Sequence, residues 1–316
     1  MRWRPEGAAT LAIIGASGRT GAALCRALLE AGRPFRPLVR NLARWRALNL
    51  PAAARPADLT QYDGLAQALE GASIIVSCAH ARYTRCLLTA APPWARLVLL
   101  GSTRRFSRWA DEHGDGVRFG EETLLLSGRP GVMLHPTMIY GAQGEDNVQR
   151  LAALLEWLPA APVPDGGRAL VQPIHQDDLT RCILAAIDQV WTGPEALVVA
   201  GPRPVAYRDF LTAVARAAGL RPPPVVSLPG PLLRAMAPLS CLLPGLPRIR
   251  MAELRRLSED KAFDVRPMRE RLGVVGVPLE YGLARCFGTP LAVGRNRTQT
   301  GRVQAELHHA HHQSYR

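Results

Sequence analysis

The chain has 316 residues, of which 47% are hydrophobic and 21% are charged. This size and composition exclude a wholly disordered chain and a small disulfide scaffold, and they predict one main domain with a smaller lobe. The formal net charge is +13, but among the 39 basic residues only Lys261 is a lysine, and the arginines form no stripe interleaved with aromatic residues. We therefore do not expect nucleic-acid binding.

The six cysteines are scattered and form no Cys-x-x-Cys pair, so the sequence predicts neither a metal site nor a disulfide framework. A reducing compartment fits this pattern. The first residues are not followed by an apolar segment of signal-peptide length, and no uninterrupted apolar run reaches 18 residues. We expect a cytoplasmic protein without a transmembrane segment.

The first two predicted elements are an apolar strand and a helix, joined by a turn with three glycines spaced three residues apart. The turn reads Gly15-Ala16-Ser17-Gly18-Arg19-Thr20-Gly21. Gly15 allows a sharp turn off the strand, Gly18 allows the backbone to approach a pyrophosphate, and Gly21 allows the helix to lie close to the sheet. The helix N-terminus adds unpaired N–H groups and a partial positive charge. The segment predicts a dinucleotide-binding site.

Strands and helices continue to alternate through the first half of the chain. Further strands are predicted at 35–39, near residue 57, and at 73–77, 96–100 and 132–134, with helices at 62–69, 83–90 and 120–126. This alternation is typical of an α/β fold with a doubly wound parallel sheet, because right-handed crossovers place helices on both faces. A ligand then binds at the carboxyl ends of the strands.

Beyond Gly141 the alternation breaks up into a helix at 147–157, a strand at 169–172 and a helix at 178–190. Asp177 or Asp178 is expected to N-cap the last of these helices. The stretch 225–246 is rich in Leu and Pro, and we assign it to lobe core because its prolines prevent one long amphipathic helix.

These elements predict the domain organisation. Residues 1–145 are expected to form a dinucleotide-binding Rossmann domain, and the later residues 168–200 are expected to belong to the same domain. Residues 146–167 and 201–293 form a smaller, mainly helical substrate lobe. Residues 294–316 read as a disordered basic tail, and its four histidines are expected to be solvated.

Five segments, taken in order, resemble the extended or atypical short-chain dehydrogenases/reductases, in particular NAD(P)-dependent epimerase/dehydratase-like proteins. They are the glycine turn, Asp58-Leu59, Pro136-Thr137-Met138-Ile139-Tyr140-Gly141, Gln172-Pro173-Ile174-His175-Gln176-Asp177-Asp178-Leu179 and Leu257-Ser258-Glu259-Asp260-Lys261. The resemblance covers roughly residues 10–287. It implies a Rossmann fold and a nicotinamide cofactor.

The resemblance also implies which residues border the cofactor. Family members that bind NAD carry an acidic residue at the end of the second strand, whereas this chain has Arg40 there and Arg19 in the glycine turn. Two guanidinium groups suit a 2′-phosphate, so we expect NADP(H), with NAD(H) as the alternative. By position, Asp58 and Leu59 should border the adenine. Ala79 and His80 should border the ribose beside the nicotinamide.

The chain departs from the family at the catalytic pair. Catalytic members carry a Ser or Thr after the fifth strand and then Tyr-x-x-x-Lys on the next helix, where the lysine lowers the tyrosine pKa. Ser102 and Thr103 occupy the first position, but no tyrosine lies between Thr103 and Tyr140. The tyrosine position falls on His113 or Gly114. Thr103, His113 and His175 are the remaining catalytic candidates.

Two functions stay open from the sequence. The first is an NADP(H)-dependent oxidoreductase or nucleotide-sugar epimerase/dehydratase-like enzyme, in which hydride transfer depends mainly on cofactor placement. The second is a non-catalytic NADP(H)-binding sensor or accessory subunit, which the missing tyrosine and lysine favour. We lean towards the enzyme. The sequence identifies neither the small-molecule substrate nor the oligomeric state.

Overall fold

A seven-stranded parallel sheet forms the centre of the molecule. A computed structural model describes residues 10–109, 111–141, 147–229 and 258–289. The sheet has the strand order β3-β2-β1-β4-β5-β6-β11, and every neighbouring pair is parallel. Its strands are β1 (Leu11–Ile14), β2 (Arg36–Val39), β3 (Arg55–Pro56), β4 (Ile74–Ser77), β5 (Arg96–Leu100), β6 (Gly131–Pro136) and β11 (Pro194–Val199). The predicted α/β fold with a doubly wound parallel sheet is confirmed.

Helices cover both faces of this sheet. The helices of the described residues are α1 (Arg19–Glu30), α2 (Leu42–Arg46), α3 (Tyr62–Leu69), α4 (Thr84–Ala90), α5 (Glu112–Leu126), α6 (Asn147–Trp157), α7 (Gln176–Asp188), α8 (Tyr207–Ala217), α9 (Arg266–Leu272) and α10 (Leu279–Phe287). Successive residues of a strand point to opposite faces. Leu11 and Ile13 therefore pack with α1, α7 and α9, whereas Ala12 and Ile14 pack with α3, α4 and α5.

The strand order reverses between β1 and β4, because the chain winds outward through β2 and β3 before it returns to the middle of the sheet. Helices on opposite faces diverge at such a point and leave a crevice at the carboxyl ends of the strands. The glycine turn that follows β1 lies at this edge. The fold therefore places the predicted dinucleotide site at the switch point.

A second core lies beyond β6. Three two-stranded sheets pair β7 (Ile139–Tyr140) with β10 (Ile174–His175), β9 (Leu170–Val171) with β12 (Val205–Ala206), and β8 (Ala161–Pro164) with β13 (Val225–Leu228). Tyr140, Leu155, Phe210 and Leu283 pack together in this core. The proposed division into domains stays a prediction. The predicted tail, with His308, and most of the Leu- and Pro-rich stretch lie outside the described residues.

Two helix starts differ from the prediction. Helix α5 begins at Glu112, about two turns before the predicted start, because the Asp111 side chain accepts a hydrogen bond from the Gly114 N–H at 2.6 Å. Helix α7 begins at Gln176, and its N-cap is His175, whose Nδ1 accepts from the Asp177 N–H at 3.2 Å. The predicted N-cap at Asp177 or Asp178 is therefore wrong, since both lie in the first turn.

Asp178 instead anchors the chain beyond α9. Its side chain is fully buried, accepts a hydrogen bond from the Val277 N–H at 2.8 Å, and pairs with Arg181. A buried carboxylate needs such partners, because its desolvation is unfavourable without them. Asp178 thereby fixes the segment that leads into α10.

We predict that Asp178→Ala lowers the free energy of unfolding by about 3 kcal/mol, because it leaves a buried N–H and a partly buried guanidinium without their acceptor. Asp177→Ala is the matched control: the neighbouring carboxylate is half-exposed and pairs with Arg285 at the surface, so its loss should cost about 0.5 kcal/mol. Urea denaturation measures both. Equal losses in the two variants would contradict the anchoring role.

Candidate functional site

The glycine turn is held against the ends of two neighbouring strands. Gly15 has φ +74°, and a Cβ there would lie 3.2 Å from both the Ala79 N and the Cys78 carbonyl carbon. The N–H groups of Gly15 and Ala16 donate to the Leu38 carbonyl at 3.1 and 3.3 Å. The turn therefore requires glycine, both for its left-handed backbone and for its close approach to the chain after β4.

The other two glycines give the turn its open side. A Cβ on Gly21 would lie 2.3 Å from the Gly15 carbonyl oxygen, so α1 starts directly above the turn. A Cβ on Gly18 would meet only that same oxygen, at 3.1 Å. Gly18 is the N-cap of α1, and neither a capping side chain nor an acidic residue occupies the described first turn of the helix. The N-terminus of α1 thus fits an anion, as a pyrophosphate requires.

Two of the residues expected at the adenosine end, Arg40 and Asp58, lie close enough for the Arg40 charge to act on the Asp58 carboxyl. Arg40 is exposed and directly follows β2. Asp58 accepts hydrogen bonds from the Thr60 N–H and hydroxyl at 2.9 and 2.7 Å, and these bonds, with a smaller effect of the Arg40 charge, hold its pKa below the usual range. Arg19 is exposed in the first turn of α1, and Leu59 is partly buried.

At the other end, the structure brings His80 and His113 together. The His80 Nε2 lies 3.1 Å from the His113 Nδ1, and the two rings meet edge to face with centroids 4.3 Å apart. The His80 Nδ1 accepts from the Arg82 N–H at 3.0 Å. Burial, with smaller effects of His113 and Arg82, lowers the pKa of His80 from 6.5 to about 4. His80 is therefore neutral at physiological pH.

Two glycines of α5 make this pairing possible. A Cβ on Gly116 would lie 2.9 Å from the His80 Cε1, and one on Gly120 would lie 2.1 Å from the Ala81 carbonyl oxygen. Helix α5 consequently lies directly on the loop after β4. This close approach brings His113, which is on α5, to His80, which is on the loop. This contact was not predicted from the sequence, although the Gly116-x-x-x-Gly120 spacing indicates that another segment lies close to the helix.

Thr103 lies next to a buried polar cluster that was also not predicted from the sequence. The Thr103 hydroxyl donates to the Pro136 carbonyl at 3.2 Å. Below it, the Glu121 Oε2 lies 2.7 Å from the Arg105 Nε and 2.8 Å from the His135 Nε2. The His135 Nδ1 accepts from the Ser102 N–H at 3.1 Å. The cluster joins α5, β6 and the loop after β5, and so fixes the backbone that carries Thr103.

His175 lies in a different environment from the other two catalytic candidates. It is buried, caps α7, and meets the Tyr140 ring edge to face with centroids 5.3 Å apart. Burial lowers its pKa. The contacts of His175 are those of a helix cap. The histidine that lies against His80 is His113, not His175.

The Ser258-Glu259-Asp260-Lys261 motif packs on the loop after β5. Glu259 is buried and accepts hydrogen bonds from the Ser107 hydroxyl at 2.9 Å and from the Arg108 N–H at 2.8 Å. Two residues after Lys261, the Phe263 ring lies 5.6 Å from that of Phe106, centroid to centroid. The motif thus fastens the second half of the chain to this loop.

The described ranges contain neither of two other kinds of site. No group of three or more His, Cys, Asp or Glu side chains there could hold a metal ion. No helix of that part of the chain combines the length and the apolarity that crossing a bilayer requires.

Residues 15–112 match the family of NAD(P)H-binding domains, and this match contains the glycine turn, Arg40 and His80 and ends one residue before His113. The chain has a Rossmann fold, and its first part matches an NAD(P)H-binding family. The fold implied by the resemblance drawn from the sequence is confirmed. No sequence among curated proteins matches this Rossmann protein.

Solved structures share the fold over nearly its whole length. The protein gox2253 is 22% identical, with a TM-score of 0.68 over 90% of this chain and 98% of that one. A nucleoside-diphosphate-sugar epimerase from Pseudomonas aeruginosa is 18% identical, with a TM-score of 0.67 over 90% and 97%. A short-chain dehydrogenase/reductase superfamily protein from Agrobacterium tumefaciens, with bound NAD, is 14% identical, with a TM-score of 0.65 over 95% and 99%.

We predict that His80 makes the Rossmann protein less stable as the pH falls from 6.5 towards 4. In this window the unfolded chain binds a proton that the folded chain does not, so the stability contributed by neutral His80 is lost on acidification. Between pH 7 and pH 5 the unfolding free energy of the wild type should fall by about 1 kcal/mol more than that of His80→Asn. This value allows for the partial exposure of the His80 side chain. Urea titrations at both pH values measure this. Parallel losses in variant and wild type would refute it.

Proposed function

We propose that the Rossmann protein is an NADP(H)-dependent oxidoreductase that acts on a small carbonyl or nucleotide-sugar substrate. The observation that carries the proposal is the glycine turn, because its open side at Gly18 and the uncapped N-terminus of α1 form a cradle that suits a pyrophosphate. Ser17 and Thr20 complete this turn. Ala79 and His80 follow β4 on the other side of Gly15, where the nicotinamide ribose is proposed to lie.

The preference for NADP(H) rests on charge. Arg40 replaces the acidic residue that would hold the ribose hydroxyls of NAD, and Arg19 adds a second exposed guanidinium in the turn. A guanidinium binds phosphate oxygens through two parallel N–H groups, which favours a 2′-phosphate at this end. The Asp58 carboxylate accepts hydrogen bonds from the Thr60 N–H and hydroxyl.

We predict that Arg40→Ser raises the Kd for NADPH at least tenfold and changes the Kd for NADH less than twofold, because only NADPH carries the 2′-phosphate. Losing one charge-assisted pair corresponds to about 1.5–3 kcal/mol. Nicotinamide fluorescence measures both constants. Arg44→Ser, on the surface of α2, is the control for general loss of positive charge and should leave both unchanged. Tighter binding of NADH by the wild type would overturn the assignment.

Bound NADPH would supply a hydride, and the side chains of this chain would position the group that receives it. Thr103 is the hydroxyl that we propose for this, since it lies three residues beyond β5 at the carboxyl edge of the sheet. Its single proton is donated to the Pro136 carbonyl and would have to leave that acceptor to reach a substrate carbonyl. The His135 side chain supports the neighbouring backbone by accepting from the Ser102 N–H.

We predict that Thr103→Ala lowers kcat for NADPH oxidation at least tenfold and leaves the Kd for NADPH unchanged. The expected loss corresponds to one oriented hydrogen bond to the reacting group. The assay offers aldehydes, quinones and nucleotide sugars, the last because one structural neighbour is a nucleoside-diphosphate-sugar epimerase. Thr103→Ser restores the hydroxyl and should recover most of the rate. Unchanged turnover in Thr103→Ala would remove Thr103 from the reaction.

A second candidate function is a non-catalytic NADP(H) sensor or accessory subunit. The position where a catalytic lysine would stand falls on Val117, which is fully buried, or on the neighbouring Arg118. No lysine other than Lys261 occurs in the chain. Tight NADPH binding without oxidation on any member of the panel would favour the sensor over the enzyme.

A further inference from the structure

The Thr103 hydroxyl and the Phe106 ring lie on the same side of one short helical turn. Residues Thr103–Phe106 form a 3₁₀-helix that begins three residues beyond β5. In a 3₁₀-helix the side chains at positions i and i+3 lie above each other, and their Cα atoms are about 6 Å apart along the axis. Both side chains approach the end of β6, since the hydroxyl donates to the Pro136 carbonyl and the ring centroid lies 6.3 Å from that of His135. A substrate group that contacts Thr103 would therefore lie beside Phe106.

The Phe106 ring is held in place by two neighbours that leave much of it accessible. The Arg105 guanidinium lies over the ring, 4.6 Å from its centroid, and the Arg105 Nε is 2.7 Å from the buried Glu121 carboxylate. The Phe263 ring lies 5.6 Å from the Phe106 ring, centroid to centroid, at an interplanar angle of 48°. Phe106 nevertheless remains 47% exposed. Its apolar surface is thus both oriented and available to a ligand.

A second exposed apolar side chain follows the strand that binds the Thr103 hydroxyl. Met138 is 40% exposed and lies two residues beyond Pro136. Single exposed apolar side chains are ordinary on a protein surface and indicate no site. A small-molecule pocket, in contrast, has mostly apolar walls around a few placed polar groups. Phe106 and Met138 fit this description, because they lie on the two chain segments that the Thr103 hydroxyl joins.

We propose that the substrate is a planar, conjugated carbonyl compound, such as an aromatic aldehyde or a quinone, whose ring packs on Phe106 while its carbonyl lies at Thr103. The inference rests on the proposed oxidoreductase function and decides between the two substrate classes named there. A ring joined directly to the carbonyl spans the single helical turn between Thr103 and Phe106. The base of a nucleotide sugar does not, because a ribose and a diphosphate separate it from the sugar carbon that reacts. Aromatic rings also pack favourably on one another in offset or edge-to-face pairs.

The Phe106 ring binds the substrate and takes no part in the bond changes. The carbonyl carbon gains the hydride of NADPH, and the electron pair of the C=O π bond moves to the oxygen. The oxygen then takes a proton from water, which leaves hydroxide in the solvent. An aldehyde is thereby reduced to an alcohol while NADPH is oxidised to NADP⁺. A quinone takes up the same hydride and proton and becomes a hydroquinone.

Binding without turnover tests where the substrate ring lies. Protein saturated with NADP⁺ cannot reduce an aldehyde, so benzaldehyde can be compared as a ligand with cyclohexanecarbaldehyde, its saturated counterpart with a puckered ring. In protein labelled with ¹³C-methyl methionine, and with the signal assigned by Met138→Leu, the ring current of benzaldehyde should shift the Met138 methyl signal. Cyclohexanecarbaldehyde should shift it much less, and the signal of the buried Met268 should stay in place. An unmoved Met138 signal while NADP⁺ is bound would overturn the inference.

Matched variants test the ring contact in turnover. Phe106→Ala should raise KM for benzaldehyde about tenfold and lower the preference in kcat/KM for benzaldehyde over cyclohexanecarbaldehyde about fivefold, at unchanged Kd for NADPH. Phe106→Tyr keeps an aromatic ring and should retain both values within about twofold. Phe119→Ala is the control, because Phe119 is also exposed and has the Arg85 guanidinium 4.7 Å from its ring centroid, but lies on the surface of α5. Equal effects of Phe106→Ala on the two aldehydes would contradict the inference.

The choice of substrates separates this inference from the proposed function. Reduction of nucleotide sugars, but of neither benzaldehyde nor 2-methyl-1,4-naphthoquinone, would overturn the inference and leave an NADP(H)-dependent oxidoreductase. Failure to bind NADPH, or to oxidise it with any substrate, would remove the proposed function, and the inference would fall with it. Where both aromatic compounds are reduced, the larger kcat/KM tells whether the substrate is an aldehyde or a quinone.

Discussion

The close approach of backbone segments at the carboxyl edge of the sheet is the constraint on which the rest of the structure depends. Gly15 adopts a left-handed conformation between the Leu38 carbonyl and the Ala79 N, and Gly21 brings α1 down onto the same turn. No residue with a side chain could replace either glycine without moving a strand or a helix. The cradle that we propose for a pyrophosphate is therefore a property of backbone geometry.

The same principle operates at the other end of the crevice. Gly116 and Gly120 let α5 lie on the loop after β4 at a distance that any larger residue would forbid. That contact places two histidines within hydrogen-bonding distance and removes them from solvent enough to keep His80 neutral. At the tyrosine and lysine positions of the family pattern that the sequence resembles, this chain has His113 or Gly114 and Val117 or Arg118. The cofactor site and the departure from the family pattern thus depend on glycine contacts at opposite ends of one edge.

Much of the fold and of the cofactor site follows from the sequence, because strand periodicity and glycine spacing are local signals. Strand β5 and helix α3 begin and end at the predicted residues. The start of α5 was missed because its first two turns carry few apolar residues, and Asp111 supplies the stability that apolar burial does not. The burial of Asp178 was missed because it depends on a tertiary contact with Val277. The cap at His175 was missed because histidine is not among the residues preferred at an N-cap, although its bond to the Asp177 N–H is local. The His80–His113 pair joins residues 33 positions apart, which no local pattern encodes.

The contact of Glu259 with the loop after β5 has a mechanical consequence. The buried Glu259 carboxylate accepts hydrogen bonds from the Ser107 hydroxyl and the Arg108 N–H. Separating them would leave all three polar groups without their hydrogen-bond partners, which is unfavourable. Residues 258–263 are therefore fastened to the loop that carries Thr103. A displacement of either segment would be transmitted to the other, although the two lie more than 150 residues apart in the sequence.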